Sequence, residues 1–259
     1  MRIALLDSGV GLLAAAAALR DLRPDADLVL TTDPDGMPWG PRTPEDVTGR
    51  ALSIATAALA YRPDALIVAC NTASVHALDR LRAELEPRVP VVGTVPAIKP
   101  AAASGGPVAI WATPATTGSA YQRGLIDAYA GGVPVAEVAC PGLADAVDAG
   151  DLTRVEAAVA DAARRTPDGV RGLVLGCTHY ELIADVIRRY VPAALFGSAT
   201  AVAAQALRRI GAEPAPEAAA TGELTVLRSG RVEPPPATMR AYPQGRALGA
   251  AGLSASRTP

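Results

Sequence analysis

The chain is short of most features that mark a stapled, metal-bound or membrane-spanning protein. Its 259 residues include three cysteines and two histidines. An odd number of cysteines without disulfide-like spacing reads as reduced thiols in a cytoplasm. The two histidines and three cysteines are scattered, with no C-x-x-C or H-x-x-x-H pair, so no metal site is expected. No uninterrupted apolar run reaches the roughly 18 residues of a membrane span, so no membrane partner is expected. The amino terminus reads as a strand ending in Asp7, without the basic region and long apolar segment of a signal peptide. A net charge of −2 gives no field of one sign to attract nucleic acid or an anionic surface.

What is present is apolar substance and regular alternation. Half of the residues are apolar, enough to bury a full core in one large or two small domains. Short apolar runs alternate with helical patterns, the signature of βαβ units and a parallel sheet. The first set comprises strands at Arg2–Leu6, Asp27–Thr31, Ala65–Ala69 and Val91–Gly93. Among its helices, residues 44–59 carry Thr43 as N-cap, Pro44 at the first helical position, and Glu45 and Asp46 in the first turn. After Ala65–Ala69, Val75, Leu78, Leu81 and Leu85 form the buried stripe of one helix. The second set has strands at Val108–Ala112, Val135–Ala139, Gly172–Leu175 and Ala194–Phe196. The helix after Gly172–Leu175 places Leu182, Ile183, Val186, Ile187 and Tyr190 on one face. Pro, Ala and Gly cluster between Gly93 and Gly106, which marks a break. A plausible last strand lies at Glu223–Arg228, and residues 234–259 read as a disordered tail.

Two segments look like copies of each other. Asp64-Ala-Leu-Ile-Val-Ala-Cys70-Asn71-Thr72 and Arg171-Gly-Leu-Val-Leu-Gly-Cys177-Thr178-His179 each end an apolar strand on a cysteine and lead into an amphipathic stretch. Ligands of open parallel sheets bind at the carboxyl ends of strands. The repeat suggests an α/β protein of two similar lobes related by a pseudo-twofold axis, with the cysteines in the cleft. Two thiols facing one ligand from opposite sides suit the removal of a proton from one face of a carbon and its return on the other. Each cysteine precedes a helix start, which favours the thiolate. Asp7, Ser8 and the Gly9-Val10-Gly11 turn match neither a P-loop nor a dinucleotide fingerprint. Asp7 can instead hold an amino group or assist proton movement. Asn71, Thr72 and Thr178 can cap helices or donate to a substrate carboxylate, and His179 can relay a proton. Cys140 and His76 read as structural.

These residues carry a resemblance. Asp7-Ser8-Gly9-Val10-Gly11, Pro38-Trp39-Gly40, Ala69-Cys70-Asn71-Thr72-Ala73, Val95-Pro96-Ala97-Ile98-Lys99-Pro100 and Gly176-Cys177-Thr178-His179-Tyr180 resemble, in order, the motifs of the bacterial glutamate racemase family, within the Asp/Glu racemase superfamily. The likeness runs from about residue 1 to 210. It implies two doubly wound lobes with the active site in the cleft between them, the first of residues 1–95 plus about 206–233 and the second of residues 96–205. It further implies cofactor-independent interconversion of L- and D-glutamate for peptidoglycan, without pyridoxal phosphate, by Cys70 and Cys177 with Asp7 and His179. Substrate contacts fall, by resemblance, on Asp7, Ser8, Trp39, Gly40, Asn71, Thr72, Thr178 and His179. The sequence departs from the family where Trp39 replaces Tyr, Glu181 replaces Pro, and Phe196-Gly197-Ser198 replaces Ile-Asp-Ser-Gly. Trp39 leaves open a racemase of another acidic amino acid. Family members are often homodimers and some inhibit DNA gyrase, which leaves a non-catalytic gyrase-binding homologue as a further alternative.

Overall fold

Each strand forms where the sequence offers β-branched and leucine side chains in short runs, and each helix where a cap or an apolar stripe follows. The computed structural model describes residues 1–250, with Ala250 described by its backbone alone. The chain divides into two units, Met1–Thr94 with the described residues from Ala199 onward, and Val95–Ser198.

The first unit opens with β1 (Arg2–Asp7), a short 3-10 turn at Val10–Leu12 and α1 (Leu13–Leu22), followed by β2 (Asp27–Thr32) and α2 (Pro44–Leu59). The α2 start follows its chemistry: the Thr43 hydroxyl accepts the Asp46 N–H at 3.3 Å, satisfying a donor that the helix cannot. Then come β3 (Ala65–Val68), α3 (Asn71–His76), α4 (Leu78–Leu85) and β4 (Val91–Gly93). The single helix expected after Cys70 is thus two, interrupted at Ala77, which is buried and has left the regular α geometry.

The second unit contains α5 (Ile98–Ala102), β5 (Val108–Ala112), α6 (Ala120–Tyr129), β6 (Val135–Ala139), α7 (Leu143–Asp148) and α8 (Leu152–Arg164). It continues with β7 (Gly172–Leu175), α9 (Thr178–Glu181), α10 (Ala184–Arg188) and β8 (Ala194–Phe196). The helix expected after Cys177 is also broken, at Leu182 and Ile183, and Tyr190 lies beyond it with 37% of its surface exposed rather than on a buried stripe. Both cysteines are therefore followed by one short helix and then a second.

The chain returns to the first unit with α11 (Ala199–Arg209), β9 (Leu224–Arg228) and β10 (Arg231–Val232). Helix α11 packs on α1, so the crossing falls at Ser198 rather than inside the helix near residue 205. Last are α12 (Ala237–Arg240) and α13 (Pro243–Ala250). The disorder expected from Pro234 fails over these residues: the Pro- and Ala-rich composition conceals Met239, Tyr242 and Leu248, which are buried and anchor two short helices. The rest of the expected tail, residues 251–259, lies outside the described residues.

The first four strands of each unit share one topology. The first has the order β10-β9-β2-β1-β3-β4, parallel except for β10; the second is β6-β5-β7-β8, parallel throughout. In each, the second strand added lies on one side of the first, and the third and fourth lie on the other. The order reverses between β1 and β3, and again between β5 and β7. Such reversals are where α/β sheets open a crevice at their carboxyl ends. Strands β3 and β7 are fully buried, as parallel strands covered on both faces must be. Burial of each Leu, Ile or Val contributes about 1.5–3 kcal/mol.

Candidate active site

At the first reversal, β1 ends in Asp7 and β3 runs through Ala69 into Cys70. The Ala69 N–H donates to the Leu6 carbonyl at 2.8 Å, so the ladder holds the two strand ends side by side. Asp7, Ser8, Cys70 and Asn71 are buried, and Thr72 is half-buried. Cys70 has extended backbone (φ −140°, ψ 122°) at the mouth of α3. The Thr94 hydroxyl donates to the Asn71 side-chain carbonyl at 2.8 Å, while the Thr94 N–H donates to the Ser74 hydroxyl at 2.9 Å. The end of β4 thereby fixes the rotamer of Asn71 beside Cys70.

Trp39 is buried. Its ring belongs to the core cluster with Leu6, Val68 and Cys70, and its indole N–H donates to the Asp33 carboxylate at 2.9 Å. A large amphipathic ring fills the core when its one polar group finds a partner. A side chain built at the neighbouring Gly40 would meet open space. Asp33 also pairs with Arg50 at 3.2 Å, and its N–H donates to the Ser8 carbonyl at 3.1 Å. One buried acid thus links the Asp7-Ser8 turn to the Pro38-Trp39-Gly40 segment. His76 is exposed at the end of α3, and its carbonyl accepts the Thr48 hydroxyl at 2.9 Å.

At the second reversal, β7 runs through Gly176 into Cys177. Its backbone (φ −136°, ψ 135°) nearly reproduces that of Cys70, and α9 follows as α3 follows Cys70. The His179 ring lies between two groups, with Nδ1 3.6 Å from the Cys177 sulfur and Nε2 3.0 Å from Asp148 Oδ1. All three side chains are buried. In the tautomer that donates Nε2–H to Asp148, Nδ1 keeps its lone pair toward the sulfur, the arrangement of a base that can accept or return the thiol proton. Thr178 is buried between Cys177 and His179. At the end of β5, the Thr113 and Thr116 hydroxyls approach to 3.2 Å.

Cys140 lies in the same unit, and its chemistry is different. Its thiol donates to the Val138 carbonyl at 3.6 Å, and burial pushes it up to about 12. It stays protonated near neutral pH, as a structural cysteine does. Among the described residues, no group of three or more His, Cys, Asp or Glu side chains could hold a metal ion. No helix among them is long and apolar enough to cross a membrane.

Four polar residues here lie outside the sequence motifs: Asp33, Thr94, Thr113 and Asp148. Asp148 is 31 residues from His179 and Thr94 is 23 from Asn71, so no local spacing pairs them. A weak signal exists in hindsight, since Thr94 and Thr113 immediately follow predicted strands.

Each α/β unit thus carries a cysteine at the carboxyl end of its third strand. The chain matches the profile of the Asp/Glu/Hydantoin racemase family over residues 11–206, and it belongs to that family. It is 38% identical over 216 residues to the glutamate racemase of Pseudomonas entomophila, covering 81% of each chain. It is 40% identical over 220 residues to that of Herpetosiphon aurantiacus, covering 81% of this chain and 85% of the relative. Among solved structures, it resembles Escherichia coli glutamate racemase in complex with L-glutamate and the activator UDP-MurNAc-Ala. That match has a TM-score of 0.80 and 26% identity over 97% of this chain and 95% of the other. Glutamate racemase from Thermus thermophilus with β-chloro-D-alanine matches at a TM-score of 0.68 and 30% identity, covering 96% and 92%.

Proposed function

We propose that this racemase interconverts L- and D-glutamate by two-base proton transfer between Cys70 and Cys177, and so supplies D-glutamate for peptidoglycan. The observation that carries the reading is the repeated topology: the same strand order ends on a cysteine, in the same backbone conformation, in both units. Family membership and the named relatives supply the substrate. One cysteine acts as thiolate and takes the α-proton; the other, as thiol, gives a proton to the opposite face. The roles exchange in reverse. Cys70 serves the D-enantiomer and Cys177 the L-enantiomer, with His179 and Asp148 managing the Cys177 proton.

An ordinary cysteine is only a few per cent thiolate near pH 7, and the α-carbon of an amino acid is a very weak acid. The site must therefore favour the thiolate and stabilise carbanionic charge electrostatically. Asn71, Thr72 and Thr178 supply polar side chains for the substrate carboxylates, and Asp7 and Ser8 hold its amino group. Pyridoxal phosphate chemistry needs a lysine for its Schiff base. The chain's one lysine, Lys99, is exposed on α5.

Circular dichroism of purified protein with L-glutamate and no added cofactor tests the proposal. Loss of optical rotation to zero is expected; unchanged rotation at high enzyme concentration overturns it. A second reading, racemisation of another acidic amino acid, rests on Trp39. Proton exchange at the α-carbon in deuterium oxide, followed by NMR over a substrate panel, separates the two.

A further inference from the structure

Helix α9 is one turn long, too short to hold itself. Its closing bonds are of the tight i to i+3 kind: the Tyr180 N–H donates to the Cys177 carbonyl at 3.0 Å and the Leu182 N–H to that of His179 at 3.2 Å. Its geometry depends on what its side chains grip, and three consecutive residues grip three different elements. His179 reaches Asp148 at the end of α7, and the Tyr180 hydroxyl reaches the Cys140 carbonyl beyond β6 at 3.5 Å. Glu181 reaches Ser198, just past β8, accepting its N–H at 2.8 Å and its hydroxyl at 3.1 Å on one carboxylate oxygen.

Ser198 is buried and is the last residue of the second unit before the chain leaves it. It lies past the end of β8, which among the described residues is an edge strand paired with β7. Gly197 makes the contact possible, because a Cβ there would overlap the Glu181 carboxylate. The pair is thus mutually dependent: the acid needs a glycine at 197, and the strand end needs the acid.

We infer that Glu181 is a positioning residue, whose carboxylate fastens the exit of β8 to α9 and so holds Thr178 and His179 in place beside the Cys177 thiol. The inference rests on the reading of Cys177 as a reacting thiol. Two hydrogen bonds to one carboxylate are of the stronger, charge-assisted kind. Losing them frees the carboxyl end of α9, two residues from the histidine that faces the sulfur.

The test compares Glu181→Ala, Glu181→Gln, Ser198→Ala, Gly197→Ala and the Glu181→Ala/Gly197→Ala double variant. Racemisation of glutamate is measured with the rate of alkylation of Cys177 by iodoacetamide, read by mass spectrometry against Cys70 in the same molecule. Glu181→Ala should lower kcat/KM about tenfold and raise the Cys177-to-Cys70 alkylation ratio several-fold. Glu181→Gln, which keeps an acceptor for the Ser198 N–H, should recover most of both. Ser198→Ala, which removes only the hydroxyl, should lie between them and serves if Glu181→Ala does not fold. Gly197→Ala should resemble Glu181→Ala, and the double variant should be no worse than either single one. Wild-type kcat/KM and alkylation ratio in Glu181→Ala, with only a lowered Tm, would overturn the inference. Should the wild type fail to racemise glutamate, the proposed function falls while the alkylation ratio still decides the role of Glu181.

Discussion

Trp39 donates its indole N–H to the carboxylate of Asp33 across 2.9 Å, with both residues buried. The ring is therefore tied into the core at the position that the motifs assign to substrate. Trp39→Phe keeps an aromatic ring and removes the donor. It should cost about 1–3 kcal/mol in urea denaturation, since Asp33 loses one of its side-chain donors and keeps Arg50 and Ser229 at 3.2 and 3.3 Å. The KM for glutamate should change little. Unchanged stability with a raised KM would make Trp39 a substrate contact after all.

The two-base mechanism predicts how single thiol losses divide the chemistry. Cys70→Ser and Cys177→Ser should each lose racemisation by about a thousandfold or more. Each should retain elimination of HCl from one enantiomer of a β-chloro analogue, Cys70→Ser from the L-isomer and Cys177→Ser from the D-isomer. Normal racemisation by either variant is incompatible with two thiols.

Asp148→Asn removes the negative charge behind His179 and weakens the preference for the tautomer with Nε2–H. A loss of ten- to a hundredfold in kcat/KM is expected. Enantiomers have equal free energy, so kcat/KM must fall equally in both directions. The asymmetry should appear instead in the isotope effect on α-deuterated L-glutamate, whose proton goes to Cys177. Equal isotope effects for the two enantiomers, before and after substitution, would remove Asp148 from the Cys177 proton path.

Cys140 sets a slope on the alkaline side of the stability profile. Its thiol lies at about 12 when folded against an ordinary 9.0, because burial disfavours the thiolate. The unfolded chain thus gives up this proton first. The contribution is fully present below about pH 9 and is lost as pH rises toward 12, by up to about 1.4 kcal/mol per pH unit. Burial raises Tyr180 in the same sense. Cys140→Ser, which does not titrate in this range, should show a shallower fall in denaturant midpoint than wild type from about pH 9 upward, and near-neutral racemisation within a few-fold. Identical slopes would contradict the assignment.

The sequence made legible what local chemistry decides. Helix α2 starts at Pro44 because Thr43 can cap it and proline fits the first turn, and all of that is written in four adjacent letters. The fully buried β3 and β7 announce themselves as short apolar runs ending on cysteine. The helices after the cysteines looked continuous because Val75, Leu78, Leu81 and Leu85 share a helical spacing, which cannot show a break that packing imposes at Ala77. The partners of Asn71, His179 and Trp39 were hidden for another reason. Thr94, Asp148 and Asp33 are brought to them by sheet order and by turns, and periodicity carries no record of either. The carboxy-terminal helices were masked by composition, which averages over the three apolar residues that matter.

The first unit's sheet is completed from the far end of the chain: Leu28 of β2 pairs with Leu224 of β9, and the whole second unit intervenes in the sequence. During synthesis at about 5–20 residues per second, β2 emerges about ten to forty seconds before its partner. Through that interval its outer edge presents unpaired N–H and C=O groups, the template on which strands from other chains can add. The second unit, contiguous in sequence, can finish its own sheet in the meantime. Nascent chains are consequently most prone to aggregate when stalled after the second unit and before Leu224, a window set by topology and untouched by any residue of the active site.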